Sequence, residues 1–301
     1  MAANPSAVVG EAGARFEPNL MRRRLAGTVF LGLCLLAVGI LLMTLAVLLW
    51  DIVSRGLPWL DGQFLTGAPS RRAERAGVLP ALAGSIELAL LVALITFPVG
   101  VAAAIYLEEY ATANRLNRLL RTNIANLAGV PSIVYGIFGL ALFVRGLGLG
   151  FTLLAGALTL SLLILPVVII ASIEALRAVP SAQREAAFAL GGSRWQVVRG
   201  SVLPAAAPGI LTGIILAMAR AIGETAPLIL VGAVTFVTFL PNPLEAGYTV
   251  LPIQIFSWAG DPRADFQALA AAAITVLLVL MLVLNALALV IRARLSRHLS
   301  W

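Results

Sequence analysis

Six apolar stretches, separated by short segments that hold nearly every charge, constrain this chain more than any single residue does. An apolar run of about 20 residues crosses hydrocarbon as a helix, because the helix satisfies its own backbone hydrogen bonds. The runs lie at Leu25–Trp50, Pro80–Tyr106, Asn126–Phe143, from after the hinge Arg145–Gly150 to Ile173, Ala205–Phe236 and Phe266–Ile291. They predict an all-α membrane protein with six transmembrane helices. Composition agrees: 60% of the 301 residues are hydrophobic and 12% charged, against about 25% charged in a soluble domain.

The division of the chain follows. Residues 1–24 are a polar N-terminal tail with Pro5, Pro18 and the run Arg22-Arg23-Arg24, and residues 25–50 are the first span. That span is too long for a signal-peptide core of 7–15 residues. Residues 51–79 form a polar loop, 80–292 the main transmembrane body, and 293–301 a C-terminal tail. The third run is the weakest: Gly129, Pro131, Ser132 and Gly136 suit a segment facing protein or a cavity rather than lipid. Pro166 marks a kink site in the fourth. The loop of about 28 residues after the fifth span carries Phe256 and Trp258 as candidates for the membrane interface.

All 21 basic residues are arginines. Fourteen fall in the N-terminal tail, the 107–125 and 174–204 loops and the C-terminal tail, and six in the other three loops. By the positive-inside rule both termini and the 174–204 loop are cytoplasmic. Arginines beside apolar runs do not suggest nucleic-acid binding. Cys34 is the single cysteine and His298 the single histidine, so the chain offers no intrachain disulfide, no thiol or imidazole metal cluster, and no Ser-His-Asp set in its apolar body. It also lacks the GxxxxGK[ST] loop that cradles ATP. The sequence implies no cofactor and no catalytic residue.

The stretch Arg177–Leu230 carries the functional signals. Within 178–204, Pro180-Ser181 starts a short helix and Gly191-Gly192 ends it. Ser193 then opens a second, with Gln196 placed for a capping box, and Leu203-Pro204 closes it. Arg184, Arg194 and Arg199 supply charge, and Trp195 is an interface anchor. On physics alone the hairpin fits a membrane surface as well as a partner. Farther on, Arg220 and Glu224 fall near the middle of the fifth span, four residues apart on one helical face. A charge at that depth costs about 2.5–3.5 kcal/mol and needs a partner or water. Two readings stand. The pair neutralises itself and locks two helices, or Arg220 contacts an anion, which its planar fork suits, with Glu224 holding the fork between anions. Gly223 and Pro227 permit a break there. Glu87 is a further charge in a span, read as structural.

The residues Glu185-Ala186-Ala187, Gly191 and Leu203-Pro204 resemble the EAA loop of bacterial ABC import permeases, with one departure at Ser201, where an aliphatic residue is expected. In that family the loop seats in a groove of the ATPase subunit, so the resemblance implies that Glu185, Ala186, Ala187, Gly191 and Trp195 dock an ATPase. The words ARAIGETAPL (Ala219–Leu228), GVAAAIYLEEYA (Gly100–Ala111), NLAGVPSIVYGIFGLALF (Asn126–Phe143) and LPIQIFSWA (Leu251–Ala259) resemble phosphate permeases of the PstA type. That resemblance implies the MetI-like permease fold and an ATP-driven importer of inorganic phosphate in the bacterial inner membrane. The implied partners are a PstC-like second permease, a dimer of ATP-binding subunits and an external phosphate-binding protein. Arg220, Glu224 and Thr225 are then the substrate-path residues. Permeation of another oxyanion (phosphonate, sulfate or molybdate) is a second reading. A stand-alone secondary transporter would show repeats and its own coupling-ion site, and an intramembrane enzyme a catalytic dyad, neither of which is visible.

The topology is testable by labelling single cysteines in intact cells. A cysteine at position 245 should react with an impermeant reagent and cysteines at 195 and 297 should not. Reaction at 297 contradicts the assigned sides.

Overall fold

The computed structural model describes residues 20–112, 114–233 and 236–297. Most of the N-terminal tail, and His298 with the last three residues, lie outside the described residues. The chain divides into two compact units, residues 1–51 and 52–301. Helix α1 (Leu20–Gly56) is the described part of the first and runs five residues into the second. It exceeds the expected 25–50 at both ends. Residues 23–48 are exposed on every face. A helix that is apolar all round and uncovered by protein fits a lipid surround.

The second unit holds α2 (Gly62–Thr66), α3 (Leu79–Ile105), α4 (Arg115–Ala128), α5 (Ser132–Gly139), α6 (Leu153–Arg177), α7 (Ser181–Ala189), α8 (Arg194–Val197), α9 (Leu203–Gly223), α10 (Ala226–Leu230), α11 (Leu251–Ala259) and α12 (Ala264–Arg297). Wide π turns prolong α3 over Tyr106–Tyr110 and α5 over Leu140–Gly146, and join α8 to α9 over Val198–Val202. Among the described residues there is no β-strand, only isolated bridges at Thr152–Ala246 and Ala233–Tyr248. Five helices are long and apolar enough to cross a membrane, and the bent pair α4–α5 makes a sixth candidate.

Packing between α6 and α9 depends on small residues. Gly209 and Gly213, one turn apart on α9, face Ala175 and Ala171 of α6, and a Cβ on Gly209 would stand 2.8 Å from that of Ala175. Small residues at this spacing let helix backbones approach closely where lipid offers no hydrophobic driving force. Helix α6 stays continuous through Pro166.

Two of the spans depart from the sequence reading. The third span is not one rod: α4 and α5 meet at 103° across residues 129–131. Pro131 cannot donate to a continuing helix and disfavours helical backbone in the residue before it. The fifth span does not reach Phe236. Its helix runs unbroken from Arg194, past Leu203-Pro204, and stops at Gly223, with Glu224 extended (φ −76°, ψ 120°). Pro227, in the first turn of α10, stands four residues after Gly223, and a continuous helix would drive its ring into the Gly223 carbonyl.

The loops at the opposite end from α7 also pack. Trp258 is buried at 4% exposure between Phe64 and Phe266, with ring centroids at 6.1 and 6.4 Å. It anchors the core there rather than the membrane interface, while Phe256 is exposed. The Leu251 N–H, at the start of α11, donates to Ser85 Oγ of α3 at 2.8 Å. Residues 57–66 and 251–259 thus form a packed cap where the sequence read loops.

Overpacking a tight site costs about 1–3 kcal/mol. Gly213→Val should therefore lower the thermal midpoint of the detergent-purified chain by several degrees. Leu216→Val, on the exposed face of the same helix, should leave it unchanged. Equal midpoints for both would show that the close approach does not contribute.

Candidate functional site

The hairpin at residues 180–203 is built as its local chemistry dictates. Helix α7 ends where Gly191 takes φ +81°, in the left-handed region that favours glycine. Its last carbonyls are met by Leu190, Gly191 and Gly192 N–H groups, at 3.3 Å to Ala186, 2.9 Å to Phe188 and 3.4 Å to Ala187. The capping box forms: Gln196 N–H donates to Ser193 Oγ at 3.4 Å, and Ser193 N–H to Gln196 Oε1 at 2.8 Å. Glu185, Ala186, Gly191 and Trp195 are exposed, whereas Ala187 is half-buried against the core around Val197 and Val202. Phe188 and the almost fully exposed Leu190 join the outer face. The sequence reading missed Phe188, whereas it places Leu190 on the surface of this helix together with the small residues Ala186, Ala187 and Ala189.

Arg184 does not belong to that outer face. Its Nη2 pairs with Glu109 Oε1 at 3.0 Å and donates to the Leu176 carbonyl at 2.7 Å, and its Nη1 donates to the Val179 carbonyl at 2.6 Å. It therefore caps the end of α6, where orphan carbonyls need donors, and fastens α7 beneath. Arg194 lies over the Tyr110 ring at 5.7 Å. Glu108, beside Glu109, holds Arg121 of α4 at 2.9 Å and Arg177 of α6 at 3.2 Å.

The second site lies at the break after α9. Arg220 sits in the last turn rather than mid-helix, and Glu224 is the first residue past the end. The helix C-terminus favours a cation there. Arg220 Nε reaches Glu224 Oε1 at 3.5 Å, a long contact, with the Arg220 side chain 48% and the Glu224 side chain 18% exposed. The guanidinium fork is thus held by one edge and open on the other. Thr225 is half-buried beside it and opens α10 without a side-chain cap. Across the break, α5 and α10 meet where a Cβ on Gly136 would stand 2.7 Å from Pro227 Cα. Tyr135, the neighbour of Gly136, donates its hydroxyl to the Leu127 carbonyl of α4 at 2.8 Å. The two broken spans are therefore broken against each other. Glu87 is half-buried on α3, with no ion pair among the described residues. No set of three metal-ligating side chains occurs among the described residues.

The model of the binding-protein-dependent transport system inner membrane component family matches residues 96–299. The chain belongs to this family. The permease is 36% identical over 272 residues to the phosphate transport system permease protein PstA 1 of Mycobacterium tuberculosis H37Rv, covering 88% of this chain and 87% of that one. It is 36% identical over 263 residues to PstA of Haemophilus influenzae (87% and 92%). It is 34% identical over 277 residues to the probable ABC transporter permease YqgI of Bacillus subtilis (88% and 94%). Among solved structures it resembles a bacterial ABC transporter involved in alginate import, at TM-score 0.58 and 15% identity over 90% of this chain and 99% of that one. It also resembles the inward-facing MetNI methionine transporter, at 0.54 and 22% over 75% and 95%. These structures are alike in fold alone, and with the helix order they give the permease the MetI-like ABC importer fold.

Hydrogen bonds to a charged donor contribute about 1.5–3 kcal/mol each, and Arg184 makes several where Arg199 makes none among the described residues. Arg184→Ala should expose the 178–204 hairpin to protease several times faster in membranes, and Arg199→Ala should cut at the parental rate. Equal rates would remove Arg184 from the anchoring of α7.

Proposed function

We propose that the permease is the membrane subunit of an ATP-driven importer of inorganic phosphate. The observation that carries this reading is a guanidinium left half open where α9 stops inside the bundle, in a chain whose relatives include permeases named for phosphate transport. Guanidinium forks match the oxygens of phosphate. In this reading an incoming anion takes the open edge of Arg220 and weakens its hold on Glu224. The acid recovers the fork once the anion has passed, and Thr225, the next residue, offers a hydroxyl. Glu185, Ala186, Gly191 and Trp195, with Phe188 and Leu190, form the surface that an ATP-binding subunit grips, and Ala187 seats that surface on the core. ATP is hydrolysed by a dimer of such subunits and not by this chain. A PstC-like permease completes the path, and a phosphate-binding protein delivers from outside. Both termini and the hairpin lie in the cytoplasm, as the arginine distribution supports.

Removing both charges separates a lock from a path. Replacing a paired charge couple by neutral residues is often tolerated, whereas removing one buried partner costs about 3–5 kcal/mol, less here because Arg220 is half exposed. Arg220→Gln and the Arg220→Gln/Glu224→Gln double variant should assemble with their partners and lose phosphate uptake, and Arg220→Lys should restore a fraction. Near-normal uptake by the double variant would leave the pair structural. ATP hydrolysis stimulated by sulfate, phosphonate or molybdate in place of phosphate would reassign the substrate.

A further inference from the structure

Two neighbouring carboxylates at the end of α3 hold different parts of the molecule. Glu108 binds Arg121 of α4 and Arg177 of α6, and Glu109 binds Arg184 of α7. Both side chains are mostly withdrawn from solvent, at 17% and 12% exposure. Successive side chains on a helix diverge by about 100°, so adjacent carboxylates cannot serve one neighbour. Here they lie on the π turn Tyr106–Tyr110, a feature that recurs at functional sites in helices.

We propose that Glu108 and Glu109 are positioning residues that link the hairpin mechanically to the Arg220–Glu224 break. The proposal rests on the hairpin's being the ATPase dock. Every joint is a contact between packed elements, a chain of the kind that can carry coupling between sites. A shift of α7 pulls Arg184 and with it Glu109. Glu108, on the same turn, carries the shift to Arg121, which also donates to the Leu107 carbonyl and so binds α4 to that turn twice. The bend between α4 and α5 is bridged by Tyr135 and the Leu127 carbonyl. Helix α5 then meets α10 through Gly136 and Pro227, three residues beyond Glu224. Glu174 lies off this route, on the outer side of Arg177 and largely exposed.

The test uses the reconstituted importer with ATPase, second permease and binding protein, and measures phosphate taken up per ATP hydrolysed. Glu108→Gln should assemble and hydrolyse ATP while uptake per ATP falls about tenfold, within the usual range of coupling between sites. Arg121→Lys should keep part of the coupling, and Glu174→Gln should match the parent. Should Glu108→Gln fail to assemble, a cycle between Arg121→Gln and Arg184→Gln decides. Those arginines do not touch each other, and independent sites add. The linkage predicts a double variant no worse in uptake per ATP than the worse single variant. Unchanged uptake per ATP in Glu108→Gln, or additive losses in the cycle, overturns the linkage. Failure of the docking reading has a different sign: the ATPase would co-purify at parental yield with Gly191→Pro and with Glu185→Lys.

Discussion

A backbone surrounded by hydrocarbon can leave the helix only where protein or water takes over its hydrogen bonds. This chain leaves it twice within its apolar body, at residues 129–131 and at Glu224-Thr225. The structure solves both problems at once by packing α5, after the first break, on α10, after the second. A glycine at 136 is what allows that contact, since any side chain there meets the Pro227 backbone. The consequence for function is positional. Arg220 ends up at the terminus of a helix, where the carbonyl ends favour its charge, and beside non-helical backbone. A continuous fifth span would have carried the same arginine on a closed helical surface.

The other end of the bundle is organised by charge rather than by small residues. Glu108 and Glu109 draw three arginines from α4, α6 and α7 to the end of α3. Isolated surface pairs contribute little, but these share one turn, are mostly withdrawn from solvent, and include donors to otherwise unmet helix carbonyls. They give the hairpin a defined seat and leave its apolar outer face, Phe188, Leu190 and Trp195, without cover from the described part of this chain.

Much of this was legible in the sequence because hydropathy and capping act locally. The apolar runs locate the five helices long enough to span, while the third run catches only the end of α4 and then α5; Ser193 with Gln196 and Gly191 specify the hairpin turn, as the structure bears out. The end of the fifth span was harder to place because residues 226–236 remain apolar after the helix has stopped, so hydropathy runs on. Gly223 and Pro227 carried the true signal as a possible break, and the helix does stop between them. Arg184 was read as a docking charge because its partner Glu109 lies 75 residues earlier, beyond any local pattern. Trp258 was placed at the interface for the same kind of reason, since Phe64 and Phe266 surround it only after folding. The anion-path roles proposed for Arg220, Glu224 and Thr225 are argued from geometry and relatedness together.

The central claim is that the break beside Arg220 is a water-accessible anion path. It is tested most directly by charge-selective thiol modification in the assembled importer. With Cys34 replaced by serine and Thr225→Cys introduced, the rates of reaction with anionic and cationic methanethiosulfonates are compared. The account predicts that the anionic reagent reacts faster, and that Arg220→Gln abolishes this preference. A cysteine at 225 that does not react from water, or the same ratio of rates with and without Arg220, would contradict it.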